Sequence, residues 1–170
     1  MIHPSGTRLI KCDVQTDVKG KWEDFIDGGN GCLYGIPSNA RRVLQFHVED
    51  KIVKEVGPDL GNRRYKYING IKAANGIIYC MPCNAEYFLK IIPIKGQDAE
   101  VQILNGKQLP EGRWGNGFLA GNGSIFYLPL SSGRILILDP DDDDSISLFE
   151  GEFSGLYGVP LVVSKDGCII

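Results

Sequence analysis

Three stretches of the 170-residue chain line up without a gap: NGCLYGIPSNARRVL from Asn30, NGIIYCMPCNAEYFL from Asn75 and NGSIFYLPLSSGRIL from Asn122. Their starts are 45 and 47 residues apart. A fourth start, DGCII, follows at Asp166. Upstream, IHPSGTRLIKCDV matches YGIPSNARRVLQFHV, with Pro4 in register with Pro37, Pro82 and Pro129. Other columns keep the spacing: Trp22 with Tyr67 and Trp114, Tyr34 with Tyr79 and Phe126, Leu44 with Leu89 and Leu136. A period of this length makes the chain an array of one supersecondary unit. Such a unit cannot bury its apolar face alone, so the fold must stack neighbouring copies.

The unit reads as antiparallel strands. Asn-Gly or Asp-Gly between apolar alternations is a strong hairpin signal, and the expectation is a two-residue type I′ turn, which needs positive φ at both positions. After it come a strand (CLYGI, IIYCM, SIFYL), a proline-marked bend and a second strand (RVLQFHV, YFLKIIP, RILILDP). A weaker strand follows (IVKEV, AEVQIL, SISLF), and the segment before the next turn supplies the fourth. Four short strands per roughly 45 residues is the blade of a β-propeller. Leu44, Phe46 and Val48 share one face and Val43 lies on the other, so both faces carry apolar residues. That pattern fits sheets sandwiched between sheets. Gly, at 22 residues, suits many turns, and no stretch has the 3.6-residue period of a helical repeat.

The fold class expected is therefore all-β, a propeller or partial propeller of about four four-stranded blades within one domain spanning 1–170. The units are 1–29 (partial), 30–74, 75–121, 122–165 and 166–170 (partial). A closed ring with a shared sheet is one arrangement. A fragment of a longer propeller, or self-association completing the ring, is favoured, because open blade edges invite pairing.

The hairpin carrying Asn-Gly or Asp-Gly and then an apolar–Tyr pair resembles that of NHL and gluconolactonase-like propellers. GRWGNGFLAGNGSIFYLP is similar to the aromatic-rich hairpin of tachylectin-2-like lectins. The resemblance covers one hairpin per blade and implies the propeller fold. The Trp-Asp of WD40 blades and the double glycine of kelch blades are missing, and the resemblance implies no catalytic or ligand residue.

Candidate chemistry must stand out from the repeat. Cys80 and Cys83 form a Cys-x-x-Cys pair, but on a strand residues three apart lie roughly 10 Å from each other, beyond disulfide reach. Structural zinc needs about four ligands, and only His3 and His47 are available as imidazoles. The pair reads as small packing residues. The acidic run from Asp139 to Asp144 reads as a solvated hairpin tip, with loose cation binding as the alternative. Asn39, Asn84 and Ser131 read as turn caps. The ligand-binding candidates are Asp24, Asn69 and Asn116, one polar column on the innermost strand and hence beside the central channel. The competing reading of this column is a bulge whose side chains bond their own backbone.

A net charge of −3 argues against nucleic acid as a partner. No apolar run reaches the roughly 18 residues of a membrane span, and MIHPSGTRLIKCDV, without a basic stretch followed by an apolar one, is not expected to act as a signal peptide. Five cysteines without framework spacing fit the cytoplasm or another intracellular reducing compartment. The function expected is a non-catalytic interaction scaffold for a protein partner, without cofactor. A glycan-binding, lectin-like propeller is the alternative, and a metal-dependent lactonase-like hydrolase the second. The aromatic columns decide between packing and sugar stacking. If Trp114 packs between blades, Trp114→Ala lowers unfolding free energy in urea by about 3 to 5 kcal/mol. A loss under about 1 kcal/mol marks an exposed ring.

Overall fold

The computed structural model describes residues 19–105 and 109–151. The partial units expected at the chain ends, with the matches at Pro4 and Asp166, lie outside the described residues. Twelve strands occur: β1 (Trp22–Asp27), β2 (Cys32–Pro37), β3 (Val43–His47), β4 (Ile52–Val56), β5 (Tyr67–Lys72), β6 (Ile78–Pro82), β7 (Leu89–Ile92), β8 (Glu100–Ile103), β9 (Trp114–Leu119), β10 (Ile125–Pro129), β11 (Ile135–Asp139) and β12 (Ser145–Phe149). They form three four-stranded antiparallel meanders, β1 to β4, β5 to β8 and β9 to β12. Each sheet opens one strand upstream of its Asn-Gly turn, so blade and sequence repeat are offset by one strand. Among the described residues no helix occurs, and none is therefore long and apolar enough to cross a membrane.

The turns differ from the type I′ expectation. Gly31, Gly76 and Gly123 have φ of 87°, 83° and 92°, but the asparagine before each does not enter the positive-φ region. Gly76 N–H donates to Ala73 O and Ala73 N–H to Ile77 O, which closes a three-residue loop; Gly123, Ala120 and Ser124 repeat it. Such a loop needs a left-handed residue only at its last position, where glycine sits. Asparagine serves another purpose. The Oδ1 atoms of Asn30, Asn75 and Asn122 accept the N–H two residues on, at 3.2, 3.0 and 3.1 Å, the side-chain turn for which this residue is favoured.

Both faces of the second sheet are buried, as the alternation requires. Cys32, Tyr34, Ile36 and Val43 of the first sheet share a core with Ile78, Cys80, Leu89 and Ile91 of the second. Ala73, Tyr79, Met81 and Phe88 from the opposite face of the second meet Ile125, Tyr127, Leu136 and Leu138 of the third. Successive residues of β6 therefore pack into different cores, and all five of its residues are buried. The aromatic column belongs to this packing. Tyr67 and Trp114 are each 3% exposed. The indole N–H of Trp22 donates to Arg42 O at 3.0 Å, and that of Trp114 to Arg134 O at 2.8 Å. Close approach between sheets also explains two glycines. A Cβ on Gly70 would lie 2.8 Å from Ile36 Cδ1, and one on Gly117 would lie 2.5 Å from Tyr127 and 2.8 Å from Ile71 Cδ1.

Polar bonds register one sheet on the next. Gln45, fully buried, accepts Ala99 N–H at 2.8 Å and donates to Gln97 O at 3.0 Å. Lys90, its counterpart in the second sheet, donates to Asp144 Oδ2 of the third at 2.7 Å. The Tyr79 hydroxyl donates to Asp144 Oδ1 at 2.5 Å, and Lys90 Nζ lies 5.6 Å above the Tyr79 ring. This corrects the reading of the acidic run as a uniformly solvated tip. Asp141, Asp142 and Asp143 are exposed, but Asp144 is 7% exposed and turns inward. The backbone turns it: Asp144 has φ of 53°, a conformation that Asp and Asn tolerate better than most residues. Asp144→Asn keeps that tolerance and removes the charge, leaving Lys90 half-buried without its anion. A loss of roughly 3 kcal/mol is expected in urea unfolding, and Lys90→Gln in the same chain restores part of it.

Candidate functional site

The first strand of each sheet lies nearest its neighbours, with β5 packed against both β1 and β9. Each of these strands carries a register break beside its aromatic residue: between Trp22 and Phe25, between Tyr67 and Asn69, and between Trp114 and Gly117, where β9 faces Tyr127 and Pro129. Bulges of this kind re-aim side chains. The polar column falls at them. Asn69 Nδ2 lies 3.5 Å from Asn116 Oδ1 on the adjacent sheet, at the outer limit of a hydrogen bond. Asn69 Oδ1 is buried and receives no hydrogen bond among the described residues. Asp24 spends one carboxylate oxygen on Phe25 N–H at 2.8 Å, the self-bonding that a bulge permits. The structure thus brings Asn69 and Asn116 together and leaves Asp24 locally engaged. Phe25, where the other two strands have glycine, is 50% exposed.

The other motifs resolve as architecture. Asn39 Nδ2 donates to Lys19 O and Asn84 Nδ2 to Arg64 O, both at 3.0 Å, and Asn39 Oδ1 accepts Tyr65 N–H at 2.9 Å. These partners are 20 and 26 residues away, so the column ties its loop to the segment entering a sheet instead of capping its own turn. Cys80 and Cys83 are free thiols. Cys80 is fully buried, and burial pushes its pKa far up, the opposite of the depressed value a reactive thiolate needs. Among the described residues no three His, Cys, Asp or Glu side chains stand where they could share a metal.

A Cys–His pair that sequence reasoning missed lies between the first two sheets. Cys32 Sγ is 3.4 Å from His47 Nδ1, and Gln45 Nε2 is 2.9 Å from His47 Nε2. Nucleophile–base pairs share this outline, but Gln45 decides the proton's place. Its two backbone bonds fix which end of the amide is the donor, so the neutral imidazole accepts at Nε2 and carries its proton on Nδ1. His47 then donates toward the sulfur and has no free site to take the thiol proton. No periodicity signals this cluster, because Cys32, Gln45 and His47 are each unmatched in the other repeats. Burial, with the Asn30 bond working against it, raises the neighbouring Tyr34 hydroxyl to about 12.

On the loop side, Arg41 Nε donates to both carboxylate oxygens of Asp59, at 2.9 and 3.0 Å, and Gly61 N–H adds a third bond at 2.9 Å. The Arg41 hydrogen bonds, with the Gly61 N–H behind them, hold the Asp59 carboxyl down at about 2.

No family model and no curated protein matches the sequence. Solved structures do match in shape. A catalytically inactive virginiamycin B lyase from Staphylococcus aureus with quinupristin superposes with a TM-score of 0.67 at 14% identity, over 91% of this chain and 50% of that one. A streptogramin B lyase gives 0.61 at 16% identity, over 89% and 49%. At such identities the likeness is one of fold. With three antiparallel four-stranded sheets stacked face to face, it defines a β-propeller repeat protein. The chain spans about half the length of these neighbours.

The Asp59 carboxyl offers a check on the loop geometry. Its carbon-13 titration should centre near 2, and in Arg41→Gln it should return toward 3.8. A folded pKa below the unfolded one means that the pair's stabilisation is complete above about pH 5 and drains as pH falls toward 2. Both side chains are exposed, so salt weakens the effect.

Proposed function

We propose that the chain works by binding rather than catalysis, as a propeller scaffold that receives a protein partner at the polar column of its inner strands. Asn69 Oδ1, buried and without a donor among the described residues, carries this reading. A buried acceptor without a donor costs about 1 to 3 kcal/mol, so its retention fits a site completed by another molecule. Asp24 and Asn69 both present acceptors, which suits an N–H or ammonium donor from the partner. Of the unrepeated polar groups that could suggest chemistry, Gln45, Lys90 and Asp144 are spent on contacts between sheets, and Cys32 and His47 on each other within the first sheet. Virginiamycin B lyase is an enzyme; its activity belongs to that protein.

The test places a photo-crosslinking amino acid at positions 24, 69 and 116 in turn, with position 54 on an outer strand as control. A single foreign protein trapped from the three inner positions, and at least tenfold weaker capture by Asn69→Ala at an unchanged unfolding midpoint, supports the reading. Adducts of the chain with itself alone favour self-association that completes a ring. Binding confined to a glycan array favours the lectin-like alternative.

A further inference from the structure

We propose that the cleft between the second and third sheets is a docking site for an acidic peptide segment, with Arg113 receiving the carboxylate. The cleft, of about 290 Å³, lies between the loop after β6 and the segment entering β9. Tyr87, Leu109, Leu130 and Trp114 give it an apolar lining, which Arg113 and Glu86 share.

The repeat itself singles out Arg113. Lys21, Lys66 and Arg113 form one cationic column at the 45- and 47-residue spacing. In all three the backbone carbonyl is structural: it accepts N–H groups from the loop after the second strand of its sheet. The side chains differ. Lys21 Nζ lies 5.7 Å over the Trp22 ring. Lys66, 2% exposed, folds its Nζ onto Arg63 O at 3.0 Å and Gly61 O at 3.4 Å. Arg113 is exposed, and no hydrogen bond or ion pair engages its guanidinium among the described residues. Glu86 does not supply the missing anion, since its carboxylate faces Arg63 at 3.7 Å. A guanidinium beside an apolar pocket presents a planar donor fork that matches a carboxylate in two bonds.

The size of the cleft favours a peptide. Sites for free small molecules run to about 300–1,000 Å³, and this one sits at the lower bound. It has room for one anchoring side chain, the scale on which interfaces concentrate their affinity. An aromatic or branched residue in the cleft, next to an Asp or Glu on Arg113, satisfies both walls and charge. The proposal rests on the protein-partner reading but uses a different contact from the polar column, so each can fail alone.

The test titrates the full chain with fluorescein-labelled Gly-Ser-Phe-Asp-Gly-Ser, with its Asn-for-Asp analogue, and with free 3-phenylpropanoate as competitor. The expected result is at least a tenfold preference for the Asp peptide, the order of one charge-assisted pair. That preference should fall below about twofold in Arg113→Gln, survive in part in Arg113→Lys, and stay intact in Asn69→Ala, while Leu130→Glu weakens both peptides. Equal binding of the two peptides, no binding of either at millimolar concentration, or an undiminished preference in Arg113→Gln overturns the proposal. So does tighter binding of 3-phenylpropanoate, which would make the cleft a small-acid site.

Discussion

Everything in this structure depends on burying both faces of the middle sheet at once. A four-stranded sheet with apolar residues on alternate positions of both faces has no stable isolated state in water. The middle strands show the constraint most directly. In β6, Tyr79 and Met81 pack toward the third sheet while Ile78 and Cys80 pack toward the first, and none of these four is measurably exposed. The glycines at 70 and 117 follow from the same demand, because any side chain there would strike the neighbouring sheet within 3 Å.

Apolar contact between sheets is non-directional, so it does not by itself choose a register. The polar bonds do. One column holds Gln45 in the first sheet and Lys90 in the second, and each reaches the turn or the strand entry of the sheet beyond it. The chemistry differs, amide to backbone in one case and ammonium to carboxylate in the other, but the span is the same. A group unsatisfied at such a buried boundary costs more than the bond is worth, which ties these residues to architecture. The search for binding therefore turns to polar groups left over from it, among them the amides at the inner bulges and the guanidinium of Arg113.

Legibility follows periodicity. The strands, the proline bends and the positions of the glycine turns could be read because each recurs at 45 or 47 residues, and every recurrence repeats the same local physics. Asp144 could not be separated from its acidic neighbours, because what buries it is a left-handed backbone turn and two partners 65 and 54 residues away. The Cys32–Gln45–His47 cluster was hidden for the same reason. Its members occupy alternate positions on adjacent strands, but no sister repeat marks them. The cationic column was visible in the spacing, yet the difference between Lys66 and Arg113 lies in where each side chain folds.

What the amino-acid sequence determined by itself was the unit and its manner of association: an antiparallel blade with two apolar faces, which must stack. Turn chemistry and strand alternation act over two to five residues, so composition and spacing suffice to specify them. Tertiary structure alone decided which polar side chains are consumed between sheets and which remain open. That choice depends on desolvation and on hydrogen-bond partners in the adjacent blade. Those partners are set by how the sheets pack, and a single repeat contains no trace of them.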